Sequence, residues 1–434
     1  MKALFHGGIH PAEKKELIRG RMPQAIQPPD RVVIPMQQHI GAACTPLVKE
    51  GERVFIGQKI GDGEGLCVPV HASVSGSVVA IAQAPHPSLG SCLAVSIEND
   101  HKNTLCPALS PQPDPEALAP DAFFALLREA GISGMGGAGF PTAAKAESAA
   151  GRINTLIINA CECEPYLTAD DVLICAHPRR VLRGALLLAN ILQPRRLYLA
   201  VEDNKPEALI ALGEVMAKYP QIQLKILPAR YPQGAEKQLI LALTGRELLL
   251  GKLPADVGCA VFNAATAAAI YSALAEGMPL TSRIVSVSGE GIQQPQNFVV
   301  PIGTSFANLI RAAGGLTTQE ILLISGGPMM GLAQATPEVP VIKTTGALLC
   351  LPRRAEDRHP ECIRCGKCID ACPMLLQPLY LYRYALGENA AMLGRFRLFD
   401  CIECGCCAYV CPGRLPLTEH FRTAKRAVKE GKIK

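Results

Sequence analysis

The sequence predicts a multidomain protein of the α/β plus β class whose C-terminal domain is organised by cysteines. Three observations carry this. The chain has 434 residues, which at roughly 150 residues per domain means about three domains rather than one. Its apolar pattern changes across a proline-rich stretch, from short β-branched runs to alternating helical and strand-like segments. Nine of its 18 cysteines fall between Cys362 and Cys411. Apolar residues make up 49% and charged residues 19%, enough to bury sizeable cores and too little charge for a disordered chain. With no tryptophan and 5% aromatics, the composition argues against a base-stacking surface, and no nucleic-acid partner is expected.

Residues 1–30 are an arm broken by Gly7-Gly8, Pro11, Pro23, Pro28 and Pro29, too interrupted for long elements. Over 31–105, the runs Val32-Val33-Ile34, Val54-Phe55-Ile56, Val78-Val79-Ala80-Ile81 and Leu93-Ala94-Val95 alternate with Gly and Pro and predict a small all-β unit. Residues 106–120 form a Pro-rich linker. Over 121–280, a helix from Phe123 stopped by Gly131, buried strands at Thr155–Ile158 and Leu197–Val201, and a helix over Val181–Ile191 predict an α/β sheet domain. Residues 281–351 hold a β-rich unit, Arg283 to Gly315, closed by the helix Phe306–Ala313, then strands and Gly-rich turns. Residues 352–434 follow the cysteines. The longest uncharged stretch, Val257 to Ala275, is alanine-rich and contains Asn263, Thr266 and Ser272. That composition suits a buried helix better than a membrane span.

The N-terminus Met1-Lys2-Ala3-Leu4-Phe5-His6 lacks an apolar signal core, so the cysteines are expected to sit in a reducing cytoplasm as metal-bound thiolates. Cys362, Cys365, Cys368 and Cys372-Pro373 form C-x2-C-x2-C-x3-C-P, and Cys401, Cys404, Cys407 and Cys411-Pro412 repeat it. Three thiolates at spacing three wrap one side of a cubane, and in two-cluster ferredoxins the fourth cysteine of each run ligates the other cluster. That assigns Cys362, Cys365, Cys368 and Cys411 to one 4Fe-4S cluster, and Cys401, Cys404, Cys407 and Cys372 to a second. Zinc is the competing reading, but it uses separated pairs rather than two such quartets. Cys406 is read as a spare thiol. Arg353 to Lys434 carries 15 basic and 9 acidic residues, a surplus that offsets the negative charge of two clusters. The tail residues Arg422, Lys425, Arg426, Lys429, Lys432 and Lys434 are read as a solvated helix face in preference to a nucleic-acid or membrane surface.

A glycine-rich loop runs Gly131-Ile132-Ser133-Gly134-Met135-Gly136-Gly137-Ala138-Gly139-Phe140-Pro141-Thr142, with Lys145 three residues on. Glycines let backbone N–H groups approach an anion, and a helix starting after Pro141 would point its positive end at a phosphate. The loop lacks the P-loop pattern and the strand that feeds a dinucleotide fingerprint, so a tight structural turn is the alternative. It gains weight from Asn159-Ala160-Cys161-Glu162-Cys163-Glu164-Pro165, directly after a strand, where α/β sheets place ligands. Two carboxylates and an amide there suit a ring system, a ribose or a nicotinamide; a solvated acidic turn is the bland alternative.

Over 31–105, the segments Leu47–Ile60 and Ala72–Val78 look like a lipoyl-type barrel-sandwich, but the turn that would present a modified lysine holds none, so a docking module is expected. Gly134 to Thr142 with Lys145, and Asn159 to Pro165, resemble the flavin and NADH site of the flavoprotein subunit of respiratory complex I. Phe5-His6-Gly7-Gly8-Ile9-His10-Pro11, Ile34 to Gly41, Val70 to Gly76, Gly326-Gly327-Pro328-Met329-Met330-Gly331 and the two cysteine quartets look like the RnfC family of Rnf electron-transport complexes. The resemblance covers nearly the whole chain.

The resemblance implies an N-terminal barrel-sandwich, a complex I flavoprotein-like FMN domain, a soluble-ligand-binding β-grasp module at Arg283–Gly315 and a two-cluster ferredoxin domain. It implies an NADH-oxidising or NAD-reducing protein that carries FMN and two 4Fe-4S clusters, peripheral on the cytoplasmic side of a membrane ion-translocating complex. Its partners would be the other subunits and NADH, with ferredoxin reached indirectly. Gly134, Gly136, Gly137, Gly139 and Lys145 match the loop around the FMN phosphate. Asn159 and Glu162 match residues lining the flavin, and Glu164 one near the nicotinamide. Gly234, Glu236 and Lys237 resemble a later flavin-lining segment, and Asn263 and Thr266 another. Glu162 and Glu164, the candidate catalytic pair, would orient rings rather than exchange protons. Complex I carries Asp where this chain has Cys161, and the long lysine- and alanine-rich tail of some members is missing. Alternatives are an NADH-dependent cobalamin reductase, whose family shares the flavin loop and paired clusters, and a non-enzymatic electron relay.

Overall fold

The computed structural model describes residues 5–353 and 361–433. The first four residues of the arm, the start of the cysteine-rich region at 354–360 and Lys434 of the basic tail lie outside the described residues. After the arm comes a β unit of two small sheets. One orders its strands Arg31–Pro35, Gly90–Asn99, Gly76–His86 and Arg53–Val54, and the other Thr45–Pro46, Lys59–Asp62 and Val70–His71. All pairings within it are antiparallel. Val32, Ile34, Val54, Ile60, Val70, Val78, Val95 and Ile97 fill the space between the two sheets. The β-branched runs seen in the sequence supply this core, because alternate side chains of a strand face one side.

The proline-rich segment 106–120 is docked along its length. The Cys106 N–H donates to Ile56 O (2.9 Å) and the Gln112 N–H to Leu274 O (2.8 Å), so it straps the β unit to the domain that follows.

That domain is a four-stranded parallel sheet in the order Ile222–Leu227, Arg196–Glu202, Thr155–Ala160, Cys259–Asn263. The helices Pro178–Leu192 and Ala264–Ala275 pack against it through Val181, Leu188, Ala267 and Ile270. Apart from the edge strand Ile222–Leu227, the strands are buried on both faces, as parallel strands covered by helices must be. Here the uncharged stretch Val257–Ala275 departs from the expected single helix. It holds a buried strand, Cys259–Asn263, and then a helix, with Asn263 at the join. Among the described residues no helix is long and apolar enough to cross a membrane.

Residues 282–352 contribute five strands to one six-stranded sheet, in the order Gln24–Ala25, Gln296–Pro301, Ser282–Ser288, Ala347–Pro352, Ile321–Ser325, Leu332–Gln334. The arm thus supplies an edge strand, and the two segments that look separate in sequence share one sheet. The helix Phe306–Ala312 buries Phe306 and Leu309 against it. The C-terminal region pairs two short helices, Lys367–Asp370 and Cys406–Tyr409, with two longer ones, Pro378–Leu386 and Leu417–Lys429.

Candidate functional site

The cysteine-rich region contains two cavities. Cys362, Cys365, Cys368 and Cys411 line one, closed by Leu379, Tyr382 and Leu417. Cys372, Cys401, Cys404 and Cys407 line the other, with Leu381 and Phe421. Each cavity therefore gathers three cysteines of one motif and the last cysteine of the other, the donor set a cubane takes. Arg364 and Glu403, between the first two cysteines of each run, adopt positive φ (58° and 57°). This bend turns N–H groups toward sulfur: Arg364 N to Cys362 Sγ and Glu403 N to Cys401 Sγ, both 3.4 Å. Burial pushes the Cys401 thiol up to about 11 and also raises Cys372, so a bound metal is what would keep these sulfurs as thiolates. Cys406 is fully buried and lines the second cavity too.

The surroundings of the two cavities differ. Cys362 and Cys365 are exposed. The second cavity is pressed against the parallel-sheet domain. Gly7 and Gly8 have positive φ, and a Cβ on Gly7 would lie 2.7 Å from the Cys372 carbonyl carbon, so the arm reaches the cysteine loop only with glycine there. The Gly8 N–H donates to Ala371 O (3.0 Å), and Ile9 and Tyr231 exchange backbone bonds of 2.8 and 3.0 Å. The Tyr231 hydroxyl donates to Cys404 O (2.7 Å). Basic tail residues are engaged here: Lys425 donates to Cys401 O (2.5 Å) and Glu403 (2.7 Å), and Arg422 pairs with Glu403 (3.1 Å).

At the C-terminal edge of the parallel sheet, the predicted nucleotide residues converge. The glycine loop doubles back on itself through the Gly134 N–H to Phe140 O (2.8 Å). It is held from below by the Met135 N–H on Thr266 Oγ1 (3.0 Å). The barrel-sandwich side holds it through the Ile40 N–H on Gly139 O (3.0 Å). A Cβ on Gly136 would lie 3.3 Å from Asn263 Cβ. The helix Thr142–Ala149 follows directly and carries Lys145, whose Nζ meets Glu236 Oε1 at 2.5 Å and sits 5.6 Å from the Phe262 ring centre. Asn159 bridges the loop and the segment before the helix Glu236–Thr244: Nδ2 donates to Gly234 O (2.9 Å) and Oδ1 accepts the Cys161 N–H (3.0 Å). Gly234 comes so close to Cys161 that a Cβ would lie 2.2 Å from the Cys161 oxygen. Lys237 is the second residue of that helix and half-buried. Asn263 caps the helix Ala264–Ala275 by accepting the Ala265 and Thr266 N–H groups (2.9 and 3.2 Å), and donates to Asp170 (2.5 Å).

The two candidate catalytic carboxylates point in different directions. Glu162 accepts the Asp170 and Asp171 N–H groups at the start of the helix Ala169–Ala176 (3.1 and 3.4 Å) and lies 3.5 Å from Lys205 Nζ. Glu164 accepts the Met329 and Met330 N–H groups (3.0 and 2.9 Å), so the Gly326–Gly331 motif is a loop seated on it. Burial pushes the Glu164 carboxyl up to about 7. Burial and then the Glu162 charge push Asp170 likewise to about 7. Sequence reasoning missed Lys15, Lys205, Asp170, Asp171 and Tyr231. Lys15 sits in an arm without periodicity, and only its burial in the folded chain marks it.

Comparison with known proteins places these features in one family. The Nuo51 FMN-binding domain matches residues 127–272, the RnfC barrel sandwich hybrid domain residues 3–102, the SLBB domain residues 284–333 and a 4Fe-4S dicluster domain residues 355–412. The chain is 42% identical over 386 residues to the subunit lettered C of the Na(+)-translocating ferredoxin:NAD(+) oxidoreductase complex of Acetobacterium woodii, covering 88% of this chain and 87% of that one. It is 43% identical over 433 residues to the subunit lettered C of the ion-translocating oxidoreductase complex of Edwardsiella ictaluri, covering 98% of this chain and 54% of that longer one. Among solved structures, an NAD+-reducing nickel–iron hydrogenase shares the fold at TM-score 0.52 and 21% identity, over 74% of this chain and 64% of that one. The barrel-sandwich, FMN-binding, β-grasp and dicluster parts expected from the sequence are thus all present. The chain belongs to the RnfC family of ion-translocating oxidoreductase complexes, electron-transfer proteins built around an FMN-binding domain and a 4Fe-4S dicluster domain.

Proposed function

We propose that this protein exchanges electrons between NAD(H), FMN and two 4Fe-4S clusters, as the peripheral NADH-oxidising or NAD-reducing part of a ferredoxin:NAD oxidoreductase. It would sit on the cytoplasmic side of the membrane, with the other subunits as direct partners and ferredoxin reached through them. The observation that carries this is the adjacency of the two sites: Glu164 of the nucleotide edge and Cys404 of the second cysteine cavity are bridged by Tyr231 and the Met329–Met330 loop. A Cβ on Gly405 would meet the Met329 oxygen at 2.9 Å.

In this reading Gly134, Gly136, Gly137 and Gly139 offer backbone N–H groups to the FMN phosphate, and Lys145 supplies a nearby charge. Asn159, Gly234, Glu236, Lys237, Asn263 and Thr266 form the floor and wall of the ring site. Glu162 and Glu164 fix the loop that orients the rings. When bound, the flavin accepts an electron pair as hydride and releases electrons singly. The cysteines of the two cavities hold the clusters, Cys362, Cys365, Cys368 and Cys411 one and Cys372, Cys401, Cys404 and Cys407 the other. The chain excludes water by closing the arm and the Met329–Met330 loop over the junction.

The test is an anaerobic titration of the FMN- and iron-loaded chain with NADH. Flavin bleaching near one NADH per flavin supports the reading. A flavin that dithionite reduces and NADH does not would overturn it.

A further inference from the structure

We propose that Lys15 is a positioning residue of the nucleotide site, delivered by the N-terminal arm to the back of the Asn159–Glu164 loop, where its ammonium holds the Glu162 peptide. The inference rests on the reading of that loop as the ring-facing segment. Lys15 is 2% exposed and Lys205 1%, and an ammonium is buried only where carboxylates and carbonyls replace its water. Lys15 Nζ donates to Glu162 O. The chain turns at Lys14, which takes the left-handed conformation (φ 53°), immediately before the short helix Lys15–Leu17. That conformation is uncommon for a residue with a side chain.

The same interior holds Lys205, 3.5 Å from Glu162 Oε2 and 4.0 Å from Asp171 Oδ2. It also holds Glu202, whose Oε2 is buried without a hydrogen-bond partner, as are Asp171 Oδ1 and Lys205 Nζ. Two ammoniums thus face Glu162, Glu202 and Asp171. Removing Lys15 leaves three buried carboxylates around one cation and frees the carbonyl between Glu162 and Cys163. The arm would remain in place, because its other anchors do not use Lys15. Tyr166 donates its N–H to Glu13 O (2.8 Å), Asn204 Nδ2 donates to Glu13 Oε1 (2.7 Å), and Ile9 stays paired with Tyr231. Among the described residues, the hydrogen bonds that hold the glycine loop at Gly134–Gly139 run to Thr266, Phe140 and Ile40 and do not involve Lys15. The Asn159–Glu164 segment is therefore held at two points beyond its strand, by Lys15 at Glu162 and by the Met329–Met330 N–H groups at Glu164.

The full FMN- and iron-loaded chain is compared as wild type, Lys15→Met and Lys15→Arg. The expected result for Lys15→Met is a KM for NADH raised about tenfold, the scale of one lost charge-assisted contact, with kcat altered less. Amide hydrogen exchange over residues 161–164 should speed up by about tenfold or more while the parallel strands stay protected, and Lys15→Arg should recover most of both. Wild-type KM with wild-type exchange over 161–164 in Lys15→Met overturns the proposal. Faster exchange throughout the domain without rescue by arginine also overturns it, since that marks a general structural role. If NADH fails to bleach the wild-type flavin, the functional reading falls by itself, and the exchange pattern still decides whether Lys15 positions this loop.

Discussion

Replacing Gly234 by alanine probes the close contact between the segment before the helix Glu236–Thr244 and the Asn159–Glu164 segment, the proposed flavin wall. The new methyl would lie 2.2 Å from the Cys161 oxygen and 3.5 Å from Cys163 Sγ. Carbon and oxygen meet comfortably at about 3.3 Å, so one of the two segments must retreat by about 1 Å. Overpacking of this kind costs about 1–3 kcal/mol. The retreat also stretches the bond from Asn159 Nδ2 to Gly234 O, now 2.9 Å, for about 0.5–1.5 kcal/mol more. A total of about 2–4 kcal/mol lowers the melting temperature of a domain this size by roughly 5–15 °C. Under the proposed function the displaced atoms wall the ring site, so flavin affinity should fall by about tenfold or more. Thermal melts and flavin titrations read the two effects. Gly213→Ala is the control: the site ends the helix Pro206–Gly213 and has nothing within 4 Å of an added Cβ, so it should leave both unchanged or raise stability by about 0.5–1 kcal/mol. A Gly234→Ala protein that melts with the wild type and keeps its flavin would refute the argument from close approach.

Cys365→Ala and Cys411→Ala should each remove the same half of the iron and labile sulfide, leaving one EPR-active cluster, while Cys404→Ala removes the other; matching spectra for Cys411→Ala and Cys404→Ala would sink the exchanged pairing of cavities. Lys145→Ala should weaken flavin retention, and an equilibrium dialysis showing a full flavin complement would remove Lys145 from the phosphate site. Glu164 is raised by burial from 4.5 to about 7 in the folded chain, so the folded state binds its proton more tightly than the unfolded state does. Its contribution to stability is present below pH 4.5 and lost as pH rises through about 7. Urea unfolding between pH 5 and 8 should show that decline in the wild type and a flatter profile in Glu164→Gln; parallel profiles would contradict it.

The cysteine spacing was the most legible part of the sequence, because only two residues between successive ligands leave few ways to surround one centre. The gathering of Cys362, Cys365 and Cys368 in one cavity follows from that local geometry, and Cys411 joins them from the second motif. The strands at Thr155 and Leu197 were legible for a similar reason, since fully buried parallel strands write continuous apolar runs. The strand Cys259–Asn263 was not, because its residues run into an alanine-rich helix without a polar break, and only the Asn263 cap marks the boundary. Direction was the least legible property of the site. Alternate positions in Glu162-Cys163-Glu164 send their carboxylates to a helix start and to a methionine loop more than 160 residues away. No pattern in the local sequence encodes either partner. Lys15 and Tyr231 were hidden in the same way, because their roles depend on long-range packing of an arm with no periodicity of its own.

The two cysteine motifs are near repeats, yet their surroundings are unequal, and the inequality orders the sites. The second cavity is covered by Gly7, Tyr231 and Met329, all belonging to segments that also touch the nucleotide edge. The first presents Cys362 and Cys365 to solvent beside the exposed Ile363. Electron transfer falls steeply with distance, so under the proposed function the second cavity is the one coupled to the flavin and the first is the exit toward a partner. Two motifs of the same spacing are thus made unequal by what packs on the second: an arm with two glycines, a tyrosine hydroxyl and a loop held by a carboxylate.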